Sequence, residues 1–309
     1  MKIVILDRAT LGADINIDIF KEFGELVSYD KTNANETKQR VKDADIVITN
    51  KVVLRKEQID DSAIKLICIT ATGTDNVDLE YAKSNNIEVK NVADYSTSSV
   101  VQVAFAMIFY FVQKLNYYKT FIEAGKWEKA PAFTNLHEIF FELDNKRVGV
   151  IGLGDIGANL AKKAEAFDCE VVYYSTSGKN NNSTYKRVEL DELLETSDII
   201  SIHSPLNDNT RNLLKYENMK KIKEGAILLN LGRGGIINED DLAKIIDEKE
   251  IYCGIDVFAK EPVESTNALL KVKNKDRLLL TPHIGWGSSE ARNRLMKKVA
   301  QNIKDFLDK

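Results

Sequence analysis

The chain has 309 residues, with 43 Lys+Arg against 47 Asp+Glu, a formal net charge of −4, 44% apolar residues and 29% charged ones. That length predicts about two domains, and the composition excludes a collagen-like chain, a disordered chain and a disulfide scaffold. A mildly acidic chain of mixed sign is not built to hold a polyanion, so no nucleic-acid partner is expected.

Short β-branched runs alternate with amphipathic segments nearly throughout. The opening KIVIL predicts a strand and is too short for a signal peptide. A helix around Asp14 to Phe23, the strand ELVSY, a helix around Glu36 to Lys42, the strand DIVIT, a short segment and the strand KLICIT follow. A helix near Asp78 to Ser84 and the strand IEVKNV complete this series. Continuous Val/Ile runs without alternation predict strands buried on both faces, hence α/β layers with parallel sheets. Ser96 to Glu123 carries no Gly or Pro and predicts one long, very apolar helix, buried in a core or at a subunit interface.

A loop-like stretch with Trp127, Pro131 and His137 comes next, and at Arg147 a second βαβ series begins. It runs RVGVI, a helix to Phe167, EVVYY, SDIISIH, GAILLNL, IYCGIDV and RLLLTPH, with a final helix from about Ser288 to Leu307. Ser177 to Ser183 (SGKNNNS) predicts a polar turn. The longest apolar run, Val103 to Val112, is far short of a membrane span, so no membrane partner is expected. Cys68, Cys169 and Cys253 lie far apart in strand-like runs, with no CxxC pair and no zinc-site spacing. Buried free thiols in a reducing compartment, the cytoplasm, are the expectation, and no metal.

The strongest local signal is RVGVIGLGDIG. Gly152, Gly154 and Gly157 form GxGxxG directly after an apolar strand and at the start of a helix. The first allows a tight turn, the second lets the backbone approach a pyrophosphate, and the third lets the helix pack on the strand. The free N–H groups of the helix N-terminus then meet the phosphates. The usual acidic partner for the adenosine ribose is missing: the matching place is Ser175, in YYSTSGKN. Ser175 and Thr176 can bond a ribose hydroxyl but would not repel a 2′-phosphate, and Lys179 could attract one. NAD is the first expectation, and NADP stays open. An ordinary polar turn is the alternative for these residues.

Three histidines make the search for an acid/base short. His137 sits in the loop before the second series, where a surface role is expected. His203 ends the strand DIISIH, where it could line a cofactor or simply pack at a loop edge. His283 ends the last strand in LLLTPHIGW, beside Pro282 and Gly285. Arg233, flanked by Gly232, Gly234 and Gly235, can clamp a carboxylate with two parallel hydrogen bonds, a structural ion pair being the alternative. Glu261 precedes Pro262 and by itself reads as surface.

Together GLGDIG, HSPLNDNTRNLL, NLGRGGIINEDDL, GIDVFAKEP and TPHIGWGSSEAR resemble the D-isomer-specific 2-hydroxyacid dehydrogenases. The likeness extends over ATGTDNVDLEYAKSNNIEVKNVADYSTSSVVQ and so covers nearly the whole chain. YSTSSV and the Trp of HIGWGS are most similar to the glycerate dehydrogenase, or hydroxypyruvate reductase, branch. The resemblance implies two Rossmann-like or flavodoxin-like domains with parallel sheets, the nucleotide domain (100–283) inserted into a discontinuous substrate domain (1–99 plus 284–309). It implies a catalytic set of His283 as acid/base, Glu261 as its partner and Arg233 as carboxylate clamp. Thr72, Gly73 and Thr74 would meet the substrate with Arg233 and His283. Asp155, Ile156, Pro205, Thr210, Leu231, Gly232, Asp256 (toward the nicotinamide carboxamide) and Gly285 would join the glycine turn, Ser175, Thr176, His203, Arg233 and His283 around the cofactor.

The implied activity is NAD(P)-dependent reduction of small 2-keto acids such as hydroxypyruvate, glyoxylate and pyruvate to D-2-hydroxy acids, by a homodimer. A dinucleotide-sensing scaffold like the NAD-binding corepressors shares the same triad. A chain that starts at its first strand and ends with its last helix lacks the extra tails such scaffolds carry, which favours the enzyme. A dehydrogenase of the same fold acting on formate or phosphite is the third alternative.

Overall fold

Apolar runs without alternation, such as Ile46–Thr49 and Leu66–Ile69, become fully buried strands in the computed structural model, which describes residues 1–309. The chain divides into two units, Met1–Ser96 with Trp286–Lys309, and Thr97–Gly285. The divisions fall at 96/97 and 285/286, against 99/100 and 283/284 from the sequence. Gly285 stays with the second unit because its N–H donates to Asp256 Oδ2 at 2.8 Å and its carbonyl accepts from Ser99 Oγ at 2.6 Å.

The first unit is a parallel sheet of five strands: β1 (Lys2–Ile5), β2 (Glu25–Ser28), β3 (Ile46–Thr49), β4 (Leu66–Ile69) and β5 (Glu88–Lys90), in the order β2-β1-β3-β4-β5. Helices α1 (Ala34–Val41), α2 (Lys56–Ile59) and α3 (Leu79–Ser84) connect them. Asp78 caps α3 by accepting from Tyr81 N at 3.0 Å. The C-terminal helix, Ser289–Leu307, starts where Ser288 Oγ accepts from Ala291 N. It buries Ala291, Leu295, Val299 and Ile303, a four-residue spacing that lays one face on the sheet core. The helix expected over Asp14 to Phe23 is instead a 3-10 segment, Asp18–Phe23, preceded by another at Arg8–Leu11. Gly12 at φ +84° breaks the run, and the Asn16 side chain takes the Asp18 N–H to restart it.

The second unit holds β6 (Arg147–Ile151), β7 (Glu170–Tyr174), β8 (Lys186–Arg187), β9 (Ile199–Ile202), β10 (Ile227–Asn230), β11 (Tyr252–Ile255) and β12 (Leu278–Leu280). All pairs are parallel, in the order β12-β11-β10-β9-β6-β7-β8. Helices α4 (Thr97–Val112), α5 (Leu115–Glu123), α6 (Asp155–Glu165), α7 (Leu190–Thr196), α8 (Tyr216–Met219) and α9 (Glu239–Glu248) complete it. The single helix expected over Ser96 to Glu123 is thus two, bent by 59°. Lys114 sits at the break with φ +51°, its ammonium 3.9 Å from the centre of the Tyr252 ring. That cation–π contact holds Lys114 in a conformation that ends α4. No single helix is long and apolar enough to cross a membrane.

Candidate active site

The strand order of the second unit reverses between β6 and β9, so the turns after these strands flank the place where open α/β sheets bind ligands. After β6, Gly152 adopts φ +93°, and a Cβ there would lie 2.8 Å from Ser204 N. At Gly157 a Cβ would collide with the Gly152 carbonyl, so the first turn of α6 packs directly on the glycine turn. Gly154, by contrast, faces open space: a Cβ would meet nothing within 4 Å. Gly154 is also the N-cap of α6, with no side chain capping it. Asp155, Ile156 and Gly157 form that uncapped first turn, whose N–H groups have no intrahelical partner. An open glycine beside uncapped amides fits a pyrophosphate.

Ser175, at the end of β7, is buried, and its Oγ accepts from Asn180 N at 3.3 Å. Asn180 Nδ2 donates to Leu153 O at 2.6 Å, which ties this turn to the glycine turn. Thr176 lies on the same turn. No carboxylate lies in Ser175–Asn180, while Arg187 Nη1 donates to Gly178 O at 2.9 Å. After β9, His203 Nε2 pairs with Ser201 Oγ at 2.8 Å, and its Nδ1 is buried without a partner. Burial pushes the His203 imidazole down to about 4, so it is neutral near pH 7. Pro205 is exposed, whereas Thr210 is buried and uses its hydroxyl within its own loop. It donates to Pro205 O at 2.7 Å and accepts from Asn207 N at 2.8 Å.

β10, β11 and β12 are neighbours, and each ends in one member of the expected catalytic set. After β10, Leu231 is buried, and a Cβ at Gly232 would lie 3.1 Å from Ser204 O. Asn230 shapes the Arg233 turn: its Oδ1 accepts from Gly232 N at 3.1 Å and its Nδ2 donates to Arg233 O at 3.0 Å. A Cβ at Gly234 would collide with the Phe258 carbonyl, which fixes how the Arg233 turn meets the segment after β11. Arg233 Nη1 donates to Gly232 O at 2.9 Å.

After β11, Glu261 Oε1 accepts from Phe258 N at 3.0 Å, and Oε2 lies 2.7 Å from His283 Nδ1. The two side chains are 29% and 28% exposed, respectively. That bond leaves His283 Nε2 as the ring nitrogen not engaged by Glu261. His283 has φ +54°. The turn around it hangs on Asp256, 1% exposed, whose carboxylate accepts from Thr281 Oγ1 at 2.6 Å, Ile284 N at 2.8 Å and Gly285 N at 2.8 Å. His137 lies elsewhere, in the exposed segment after α5.

In the first unit, Thr72, Gly73 and Thr74 form the turn beyond β4. Thr72 Oγ1 donates to Val92 O at 3.1 Å, and its carbonyl accepts from Asn91 Nδ2 at 2.6 Å. Sequence reasoning missed Asn230, Ser201, Thr281 and Glu239, which holds Ala259 N at 2.6 Å. The available signal was a polar residue inside or directly after an apolar strand, as in LLNL and IISIH.

Residues 105–285 match the family model described as "D-isomer specific 2-hydroxyacid dehydrogenase, NAD binding domain". The chain is 36% identical to a hydroxypyruvate reductase of Blautia hydrogenotrophica, over 99% of this chain and 97% of that protein. It is 32% identical to a glycerate dehydrogenase of Methylorubrum extorquens, over 99% of this chain and 96% of that protein. Among solved structures it is similar to an acyclic imino acid reductase in complex with NADPH and D-Arg. That likeness has a TM-score of 0.87 and 28% identity, covering 100% of this chain and 97% of that one.

Proposed function

This chain belongs to the D-isomer specific 2-hydroxyacid dehydrogenase family, a family of NAD(P)-dependent oxidoreductases, and we propose that it reduces small 2-keto acids to D-2-hydroxy acids. Hydroxypyruvate is the first substrate, with glyoxylate and pyruvate beside it. The observation that carries this reading is the 2.7 Å pair of His283 Nδ1 and Glu261 Oε2, on a strand end of the same row as Arg233. Glu261 accepts from Nδ1–H, so in the imidazolium form Nε2–H gives its proton to the carbonyl oxygen and leaves the neutral Nδ1–H tautomer, whose Nε2 takes a proton back in oxidation. Arg233 grips the substrate carboxylate through its planar fork and polarises the keto group. Asp256 holds the backbone on which His283 is mounted. The reduced nicotinamide dinucleotide, when bound, supplies the hydride.

NAD is the first cofactor in this reading, with NADP open beside it. The turn Ser175–Asn180 has no carboxylate to repel a 2′-phosphate, and Lys179 and Arg187 give it positive charge. The apolar surface of the second unit, with Trp127, Phe133, Leu136, Ile139 and Phe140 exposed, supports a homodimer joined there. Three free, buried cysteines suit the cytoplasm.

The test is oxidation of NADH and NADPH, followed by nicotinamide absorbance, with each of the three acids. Turnover highest on hydroxypyruvate supports the proposal. Tight dinucleotide binding with no turnover on any of them refutes it and favours the sensing scaffold.

A further inference from the structure

After β11 the chain leaves the sheet for a long connection, and Glu261 stands on it. Phe258 at its start is 9% exposed and Leu269, beyond its end, is fully buried, so core packing fixes both flanks. Between them Ala259 to Thr266 are exposed except for Val263. An exposed stretch with little packing opens readily unless hydrogen bonds hold it. The ion pair of Lys260 with Glu264 lies largely in water and contributes little.

The stronger hold comes from another element. Glu239, the first residue of α9, is half-buried. Its Oε1 accepts from Ala259 N at 2.6 Å and its Oε2 from Asn267 Nδ2 at 2.6 Å. One carboxylate therefore grips the connection on both sides of Glu261. Asn267 passes the hold on: its Oδ1 accepts from Leu269 N at 2.9 Å, at the start of a 3-10 turn, Ala268–Lys271. An acid in the first turn of a helix is ordinary, because it meets the helix dipole and needs no other partner. Asp240, the next acid, is exposed, and Asp241 accepts from Tyr216 N at 2.9 Å instead. Glu239 differs in directing both oxygens to the segment that carries Glu261.

The link to the acid/base pair is short. Glu239 and Glu261 hold adjacent amides, Ala259 N and Phe258 N. Glu261 Oε1 takes the Phe258 N–H at 3.0 Å while its Oε2 lies 2.7 Å from His283 Nδ1. Releasing Ala259 N frees the peptide plane next to the one that Glu261 grips. A shift there is carried to His283 through a carboxylate bonded at both ends.

We propose that Glu239 is a positioning residue for the acid/base pair: it clamps Ala259 and Asn267 so that Glu261 holds the His283 ring in place for proton transfer. It acts through Glu261 and does not touch the ring. This inference rests on the reading of His283 and Glu261 as the acid/base pair of a 2-keto acid reductase.

The test compares wild type, Glu239→Ala, Glu239→Gln, Glu261→Gln and the double variant of Glu239→Ala with Glu261→Gln. The first readout is hydrogen exchange at the Phe258 amide, which Glu261 holds and Glu239 does not touch. In Glu239→Ala its protection should fall about tenfold more than that of the β10 amides, the loss of roughly one hydrogen bond to a charged group. The second readout is single-turnover reduction of hydroxypyruvate by the NADH-loaded protein. It should slow on the order of 100-fold, with the Kd for NADH near wild type. In the Glu261→Gln background, Glu239→Ala should slow it less than about threefold further, because its route is already cut. Glu239→Gln keeps an acceptor for Ala259 but sets an NH2 group against Asn267, so both readouts should move the same way by less. It decides the matter if Glu239→Ala does not fold. Phe258 protection that falls no more than that of β10 overturns the inference alone. So do rate losses that multiply in the double variant, since that is a structural role independent of Glu261. A wild type that turns over no 2-keto acid overturns the proposed function, and this inference with it.

Discussion

Replacing Asp256 with Asn should disable the His283 turn while leaving dinucleotide binding in place. The carboxylate has about four acceptor sites, and three take Thr281 Oγ1, Ile284 N and Gly285 N at 2.6 to 2.8 Å. Between these anchors stands His283, at φ +54°. A left-handed conformation costs a side-chain-bearing residue about 1–2 kcal/mol and persists only where its surroundings hold it. Hydrogen bonds to a charged group, about 1.5–3 kcal/mol each, more than offset that.

Asn keeps one acceptor oxygen for Thr281 and Ile284 and turns its NH2 toward the Gly285 N–H. One bond to a charge is lost, two become neutral, and a buried donor stands unpaired. A loss of about 2–4 kcal/mol follows. The imidazole then loses its fixed seat, and a displacement of about 1 Å at a reacting group lowers turnover on the order of 100-fold. Urea unfolding gives the first number, single-turnover reduction of hydroxypyruvate the second, and dinucleotide fluorescence the Kd. Wild-type turnover and stability with weakened dinucleotide binding would refute the argument and make Asp256 a cofactor contact instead.

Three further substitutions separate fold from function. Gly154→Ala should leave stability within about 0.5 kcal/mol, because its Cβ meets nothing within 4 Å, yet weaken dinucleotide binding in a titration. Gly157→Ala should do the reverse first: its Cβ collides with the Gly152 carbonyl, and such overpacking costs about 1–3 kcal/mol in a denaturation midpoint. Arg233→Lys should lower kcat/KM on the order of 100-fold with the Kd for NADPH intact, because an ammonium cannot reproduce the planar fork. His203 adds a pH effect. Its pKa is about 4 in the folded protein, lowered by burial, against 6.5 when unfolded. As pH falls below 6.5 the unfolded chain takes up the proton first, so stability drops until about pH 4, by up to about 3 kcal/mol. His203→Gln should flatten that limb in urea midpoints taken at pH 7, 5 and 4; an unchanged slope would show that the ring protonates freely.

The sheets were legible because strands buried on both faces leave continuous Val/Ile runs, as in IVIT and LICI. The glycine turn was legible because Gly152 and Gly157 each answer a separate steric demand, while Gly154 leaves the edge beside the first turn of α6 open. Lys114 was not, since the break in the long helix comes from a ring in β11, far off in sequence, and Lys is an ordinary helix former. The 3-10 segments before β2 were missed for a related reason. Gly12 and Asn16 redirect the backbone by local hydrogen bonds, while the apolar spacing of Ile15, Ile17 and Phe20 imitates a helix.

Asp7 and Asp256 show a deeper limit. Each follows an apolar strand, each is nearly fully buried, and each grips the turn after the neighbouring strand through backbone N–H groups. The partner of such a carboxylate is main chain, which has no residue type, so no motif of paired side chains reveals it. Asn230 does the same within its own turn. The legible half is the acid itself: IVILD and YCGID put an ionisable group where burial is dictated by the strand before it. A carboxylate so placed must be paired or surrounded by donors, because an isolated buried charge is too costly to persist. An acid directly after a wholly apolar strand therefore marks a turn held rigid by backbone donors, at the end of the sheet where ligands of open α/β sheets bind, even when its sequence neighbours suggest nothing.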